Sequence, residues 1–112
     1  MTDLKKSKCI PCEGGIDPLT DAQIEEYKRQ VPRWTLVRED SKKLKRAFEF
    51  KDFRQALDFT DKVGELAEAE GHHPVITTEW GKVTIVYWTH AISGLHQNDF
   101  IMAAKTDDLY NR

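Results

Sequence analysis

The stretch from Asp52 to Gly71 constrains the fold more than any other part of this sequence. Aspartate is favoured immediately before a helix, and glycine is the residue that most often ends one. Between them, apolar side chains recur every three or four positions, at Phe53, Ala56, Leu57, Phe59, Val63, Leu66 and Ala67. A stripe of this width must be buried against other elements, which predicts a long helix as the main support of a hydrophobic core.

Two pairs of short strands flank this helix. Before it, residues 34–37 and 44–50 are rich in β-forming side chains and are separated by a turn. After it, residues 74–78 and 83–90 are also separated by a turn. Such short connections predict two antiparallel hairpins. Arg46 interrupts the apolar face of the second strand, which predicts that it lies near a sheet edge or carries its charge outward.

A further helix is predicted at each end of this arrangement. Thr20 and Gln23 fit a capping box, so the first helix begins there and ends before Pro32. The last helix is predicted to start near His96, which we interpret as a surface residue. The order α-β-β-α-β-β-α predicts an α+β fold, a four-stranded antiparallel sheet with three helices packed on one face.

Length and charge narrow the class of protein. A chain of 112 residues is about one domain, which we divide into an N-terminal arm, residues 1–18, and a single domain, residues 19–112. The net charge of -2 argues against a nucleic-acid partner and against a polybasic membrane contact. Since no apolar run approaches the roughly 20 residues that cross a bilayer, we expect a soluble, cytoplasmic protein.

The arm contains the two cysteines of the chain, in the run Cys9-Ile10-Pro11-Cys12. A structural zinc site has four ligands, so these two thiols would need partners from elsewhere or from a second subunit. A redox C-x-x-C pair normally lies at a helix start after a strand, and no apolar run precedes this one. We favour a flexible or surface-packed arm, and metal and redox roles stay open.

Histidines are concentrated after the predicted long helix. His72 and His73 follow it directly, and His90 lies at the end of the fourth predicted strand. Histidine exchanges a proton near neutral pH more readily than other side chains, so we expect a functional site here. In an extended segment neighbouring side chains point in opposite directions, which predicts different tasks for His72 and His73. We take His73 as the acid or base most exposed to a substrate.

The spacing of these residues resembles the signature of a known family. Glu68, three residues, His72-His73-Pro74, five residues, Trp80, nine residues, His90, eight residues and Asp99 follow one another in this order. This pattern is similar to that of the pterin-4a-carbinolamine dehydratases, also called 4a-hydroxytetrahydrobiopterin dehydratases or the DCoH family. The resemblance covers roughly residues 19–109, and a pattern with several fixed gaps is far more specific than one dipeptide.

The resemblance implies a hydro-lyase that uses no metal and no organic cofactor. Its substrate would be the 4a-hydroxytetrahydropterin left by aromatic amino acid hydroxylases, and its product, quinonoid dihydropterin, would support tetrahydrobiopterin recycling. Two groups of site residues are implied: catalytic His72, His73 and His90, and substrate-binding Pro74, Trp80 and Asp99. Relatives assemble as homodimers or homotetramers, and we expect the same here.

Structural alternatives stand beside these roles. Asp99 could simply cap the last helix, Trp80 could pack over its hairpin, and we interpret Glu68 as structural. A histidine-metal hydrolase would need H-x-x-x-H on a helix or H-x-H on a strand, and the adjacent pair His72-His73 fits neither pattern.

Two departures from the family pattern bear on the physiological function. Gly71 stands where mammalian members have an acidic residue, and the arm resembles that of microbial and plant members for which a link to molybdopterin metabolism has been suggested. The alternative function is therefore a dehydratase-like protein of pterin or molybdopterin metabolism, or a dimerisation or binding module without the dehydratase activity.

Overall fold

The predicted order of helices and strands is confirmed by a computed structural model that describes residues 3–10 and 17–111. Short 3-10 turns at Leu4–Lys6 and His90–Ile92 accompany the regular elements. The helices and strands are α1 Asp21–Lys28, β1 Thr35–Arg38, β2 Lys42–Glu49, α2 Phe53–Glu70, β3 Val75–Glu79, β4 Lys82–Tyr87 and α3 Gln97–Tyr110. Within the described ranges, no helix is both long enough and apolar enough to cross a membrane.

The four strands form one antiparallel sheet in the order β1-β2-β4-β3. Each hairpin contributes one inner strand, so β2 and β4 pair with each other at the centre of the sheet. The three helices pack on one face, as predicted, and the apolar side chains of β2 and β4 on that face are 0% or 1% exposed: Leu44, Phe48, Val83, Ile85 and Tyr87. The space between these strands and the helices is therefore filled by the hydrophobic core.

The opposite face, which we call the open face, carries Val37, Lys43, Lys45, Val75, Val86 and Trp88. Strand register aligns these residues in rows across the sheet, because Val37 is paired with Lys43 and Val86 is paired with both Lys45 and Val75. Val75 is 46% exposed, whereas Ile85 on the helix-covered face is fully buried. The alternation expected for a sheet with one buried face is thus present.

The predicted helix ends follow from local hydrogen bonds. Thr20 and Gln23 form the capping box at the start of α1. Asp52 accepts a 2.8 Å hydrogen bond from the Gln55 N–H at the start of α2. At the end of α2, Gly71 has a φ of 66°, a left-handed conformation that glycine adopts without the cost paid by other residues. The chain can therefore turn sharply into the segment that carries His72 and His73.

The expectation for Arg46 is wrong. It lies on β2, an inner strand, and its side chain is only 12% exposed beneath α3. Its guanidinium pairs with Asp107 at 2.5 Å and lies over the Phe48 ring, and Asp107 also accepts a 2.8 Å hydrogen bond from the Trp34 indole. The sequence could not reveal this arrangement because the partner carboxylate lies on a helix 61 positions away.

The N-terminal arm contributes to the core. Leu4 is fully buried, and its N–H donates to Gln30 Oε1 at 3.0 Å. The Lys105 ammonium on α3 donates to the Lys5 carbonyl at 3.0 Å. Cys12 and the rest of residues 11–16 lie outside the described residues, so the interpretation of the C-x-x-C pair stays a prediction. The division of the chain at residue 18 is likewise a prediction.

Candidate active site

A fully buried carboxylate, Asp99, joins three separate segments of the chain. Its Oδ1 lies 2.6 Å from Nε2 of His72, which follows α2. Its Oδ2 accepts hydrogen bonds from the Thr89 hydroxyl at 2.8 Å, just after β4, and from the His96 N–H at 2.9 Å, at the start of α3. Asp99 is 0% exposed, so these hydrogen bonds replace the water that a carboxylate would otherwise bind.

The local structure explains why these residues meet. Asp99 is the third residue of α3 and completes a capping box with His96. Thr89 continues the alternation of β4 beyond the buried Tyr87, so its hydroxyl points to the helix-covered side. The pair Thr89 and Gly94 forms an isolated antiparallel bridge that brings the chain back toward α3. Asp99 therefore caps the helix and also binds His72.

His72 is held in a nearly closed environment. It is 8% exposed, and its ring stacks on the Tyr87 ring at a centroid distance of 6.3 Å and an interplanar angle of 18°. A hydrogen bond to the Asp99 carboxylate requires the proton on Nε2 of His72, which leaves Nδ1 as the atom that can accept or lose a proton. The tautomer and the ring plane are both fixed by neighbouring groups.

His73 has a contrasting environment. Its side chain is 60% exposed, and its Nε2 lies 2.5 Å from Oε2 of Glu68 on the last turn of α2. The adjacent histidines thus have different surroundings, as predicted, and each contacts a carboxylate. Glu68 was interpreted as structural, and its contact with His73 was missed because the αL turn at Gly71 brings a residue five positions away into reach.

His90 lies on the open-face side of the same sheet end. It was predicted at the end of β4, but that strand ends at Tyr87 and His90 begins a 3-10 turn. Its exposed ring is 4.3 Å from the Trp88 ring, centroid to centroid. The β3–β4 register ends at the pair of Val75 and Val86, and His73 lies two residues before Val75. The His90 ring therefore lies against Trp88, and His73 lies at the same end of the sheet, just before β3.

Trp88 also borders a trough in the open face, a feature that sequence reasoning missed. The trough combines two cavities of about 210 and 540 Å³ that share Val37 and Lys45. The smaller cavity is lined by Trp88, Val75 and Val86, and the Lys43 ammonium lies 4.4 Å from the Trp88 ring centroid. Trp88 was not among the predicted site residues, and its contact with the His90 ring is seen only in the structure.

Two predicted substrate-binding residues have different positions relative to this sheet end. Pro74 lies between His73 and β3 and is partly buried. Trp80 lies in the β3–β4 turn and is 74% exposed. The five residues of β3 span about 17 Å, so they separate Trp80 from the histidine end of the sheet. Within one chain the structure does not bring Trp80 together with the histidines, and its role in binding stays a prediction.

The interpretation of His96 as a surface residue is wrong. His96 is 8% exposed and acts as the N-cap of α3, with its Nδ1 accepting a 3.0 Å hydrogen bond from the Asn98 N–H. Burial lowers the pKa of His96, the nearby Asp99 carboxylate opposes this effect, and His72 adds to it. An imidazole that accepts through Nδ1 must lack a proton there, so the cap requires the neutral ring.

This cap predicts an acid-sensitive contribution to stability. Because the pKa of His96 is lower in the folded chain than in the unfolded chain, the unfolded state binds more protons and stability falls as pH drops below about 6.5. We expect His96→Asn, which keeps an acceptor at the N-cap but does not titrate, to lose less stability than wild type between about pH 7.5 and pH 5.5. Urea unfolding at each pH measures the difference. Parallel stability curves for the two proteins would contradict the assignment.

Among residues 3–10 and 17–111, no three His, Cys, Asp or Glu side chains are grouped in a way that could hold a metal ion. Cys9 is partly buried, and its sulfur lies 3.9 Å from the Asn98 carbonyl oxygen. The donors that the structure does bring together are imidazoles and carboxylates in pairs. Such pairs are suited to proton transfer.

Comparison with known proteins agrees with the resemblance seen in the sequence. A family profile described as pterin 4 alpha carbinolamine dehydratase matches residues 17–109. A relative from Chlorobaculum tepidum, provisionally named a pterin-4-alpha-carbinolamine dehydratase, is 54% identical over 110 residues, which are 97% of this chain and 99% of the relative. A relative from Chlorobium luteolum with the same provisional name is 50% identical over 111 residues, 98% of this chain and 97% of the relative.

A solved structure shares the fold. The crystal structure of a transcriptional coactivator/pterin dehydratase from Brucella melitensis superposes with a TM-score of 0.77 and 29% sequence identity. The superposition covers 83% of this chain and 98% of that one.

Proposed function

Because the chain belongs to the pterin 4 alpha carbinolamine dehydratase family, we propose that it is a hydro-lyase that converts a 4a-hydroxytetrahydropterin into a quinonoid dihydropterin by histidine acid and base catalysis. The observation that carries the proposal is the meeting of His72 with Asp99, beside a sheet end that also holds His73 and His90. In the cell this reaction would support tetrahydrobiopterin recycling.

The reaction requires one proton to be donated and another to be accepted. The C4a–O bond breaks as the hydroxyl takes a proton and leaves as water, because hydroxide itself is a poor leaving group. The lone pair of the adjacent ring nitrogen forms the new C=N double bond, and an N–H proton of the ring passes to a base. Positioned side chains lower the barrier of each transfer, by typically 10² to 10⁴-fold in rate.

We assign the proton donor to His73. It is the more accessible imidazole of the adjacent pair, and Glu68 lies within hydrogen-bonding distance of it, so the carboxylate can orient the ring. His90, which is also exposed and lies against the Trp88 ring, is suited to accept the ring proton. Water released by the reaction can leave directly into solvent from either position.

We assign His72 and Asp99 to orientation at the closed end of the site. Asp99 holds His72 in one tautomer, and the burial of both groups strengthens the hydrogen bond between them. The remaining nitrogen of His72, Nδ1, would then be a fixed polar contact for the edge of a pterin that extends past the sheet end, because His72 stacks on Tyr87 on the helix-covered side. Asp99 would act on the substrate through His72, since its three hydrogen bonds use both of its oxygens.

The trough of the open face is where we place the pterin ring. Its floor near Trp88 is apolar, with Val75 and Val86, and a flat heterocycle can stack on an indole. Lys43, which lies over the Trp88 ring, would move aside or contact the edge of the substrate. Pro74 borders this region through its neighbour Val75, whereas Trp80 could contact a pterin of this trough only from another subunit of a homodimer or homotetramer.

The proposal is tested by a dehydratase assay with freshly generated 4a-hydroxytetrahydropterin. We expect a loss of roughly 10²-fold or more in kcat for His73→Ala, because the substitution removes a general acid. His72→Ala and His90→Ala should also lower kcat. His96→Asn is the matched control, since this histidine caps α3 and is assigned no proton transfer.

The controls decide between catalysis and folding. Each variant must be fully folded under the assay conditions, as judged by its urea unfolding curve, and removal of metals with a chelator should leave the wild-type rate unchanged. Full activity in all three alanine variants, or no dehydration by the wild-type chain, would overturn the proposal.

Light scattering of the same samples tests the proposed homodimer or homotetramer, and cell fractionation tests the proposed cytoplasmic location.

A binding role is the second candidate, favoured by the exposure of the apolar Val75 and Trp80 and by the coactivator role in the name of the Brucella protein. In this alternative the chain would be a dimerisation or binding module, or would serve another step of pterin or molybdopterin metabolism. A His73→Ala variant that lacks dehydratase activity but restores the wild-type phenotype to a deletion strain would favour this function over catalysis.

A further inference from the structure

Two consecutive residues of the N-terminal arm bind the two segments that carry His72 and Asp99. The Cys9 N–H donates to Oε1 of Glu70 at 2.9 Å, and Glu70 is the last residue of α2, two positions before His72. The next residue, Ile10, exchanges two hydrogen bonds with the side chain of Asn98, which immediately precedes Asp99. The arm thus spans the gap between the end of α2 and the start of α3.

Asn98 is held firmly by these contacts. Its Oδ1 accepts from the Ile10 N–H at 3.0 Å, and its Nδ2 donates to the Ile10 carbonyl at 2.6 Å. The side chain is only 1% exposed, and a buried amide is costly unless its hydrogen bonds are made. Because one backbone residue satisfies both ends of the amide, Asn98 cannot rotate without breaking two hydrogen bonds at once.

The arm is itself anchored at its other end. Leu4 is fully buried in the core, its N–H donates to Gln30, and the Lys5 carbonyl accepts from Lys105 on α3. Residues 4 to 10 are therefore fixed to the body of the domain at both ends. An anchored segment can transmit a restraint to Asn98, whereas a loosely tethered one could not.

We propose that Asn98 is a positioning residue, through which the arm keeps the end of α2 and the start of α3 at the separation that the hydrogen bond between His72 and Asp99 requires. That bond is 2.6 Å long and joins two elements that have no covalent connection nearby. A displacement of about 1 Å at a reacting group can cost up to 10²-fold in rate. As far as it concerns rate, this inference rests on the proposed dehydratase function.

The test uses three variants of the full chain. Ile10→Pro removes the N–H that Asn98 binds, Asn98→Ala removes the amide, and Ile10→Ala keeps the N–H and serves as the matched control. We expect the first two variants to lower kcat by about 10-fold each with little change in KM, and their combination to lower it no further. Ile10→Ala, whose side chain is 56% exposed in the wild type, should keep the wild-type rate.

A second measurement needs no substrate. Nitrogen-15 NMR of the imidazoles reports the tautomer and hydrogen bonding of His72, and both signals should change in Asn98→Ala and Ile10→Pro. If these variants lose thermal stability but keep the wild-type kcat and the wild-type His72 spectrum, the arm is a structural anchor only and the inference is wrong. If the wild-type chain has no dehydratase activity, the proposed function fails, and the NMR comparison alone still decides this inference.

Discussion

Asp99→Asn is expected to lower the dehydratase rate by roughly 10²-fold while the chain stays folded. The amide oxygen can still accept from Thr89 and from the His96 N–H, which keeps the start of α3 capped. The amide nitrogen must then face Nε2 of His72 and donate to it. His72 is thereby forced to carry its proton on Nδ1, the atom that we assign to the substrate.

The outcome is measured by the assay together with nitrogen-15 NMR, which should show the opposite tautomer of His72 in the variant. Asp61→Asn on the exposed side of α2 is the matched control for the loss of one carboxylate. Wild-type kcat in Asp99→Asn would show that the orientation of His72 is irrelevant to the reaction. A low rate with an unchanged His72 tautomer would contradict the orienting role proposed for Asp99.

Asp107→Asn is expected to destabilise the fold by about 3 kcal/mol, and adding Arg46→Met is expected to restore most of that loss. The single substitution keeps the acceptor for the Trp34 indole but leaves the Arg46 guanidinium, 12% exposed, without its anionic partner. Burial raises the pKa of Asp107, with the Trp34 and Arg46 contacts opposing it, so the ion pair is costly to bury. Removing both charges also removes that cost.

Urea unfolding of the two single variants and the double variant forms a double-mutant cycle for this pair. Arg46→Met alone should also cost about 3 kcal/mol, because Asp107 then keeps the indole as a hydrogen-bond partner but loses the guanidinium. Asp61→Ala on the surface of α2 should change stability by less than about 0.5 kcal/mol. Additive losses in the double variant would show that the two residues stabilise the fold independently.

Local sequence patterns predicted the helices and strands correctly because the start and end of each element depend on residues close together in the sequence. A few neighbouring residues are enough to predict each helix end, as at the capping box of Thr20, the cap at Asp52 and the glycine at position 71. The sheet was predicted because the turns within both hairpins are short. Arg46 could not be placed in this way, since its position depends on a carboxylate of α3 that comes much later in the sequence.

The candidate site was predicted through the spacing of its residues, and its internal contacts were not. The resemblance singled out His72 and Asp99 separately, but their 2.6 Å contact depends on how α2, β4 and α3 end and begin in space. Thr89 and His96 were missed for the same reason, because a threonine and a histidine beside a helix start carry no distinctive pattern. Glu68 was interpreted as structural, and only the turn at Gly71 shows that it reaches His73.

The double task of Asp99 limits how this domain can diverge. A chain that replaces Asp99 by a residue without a side-chain acceptor loses the cap of a helix together with the orientation of an imidazole, so natural variants that fold well will tend to retain an acceptor here. Selection for folding would then preserve the acceptor, and only selection for the reaction would distinguish a carboxylate from an amide. Variation in substrate preference is expected instead along the open face, where Lys43, Lys45 and Trp88 can be exchanged without touching the buried network.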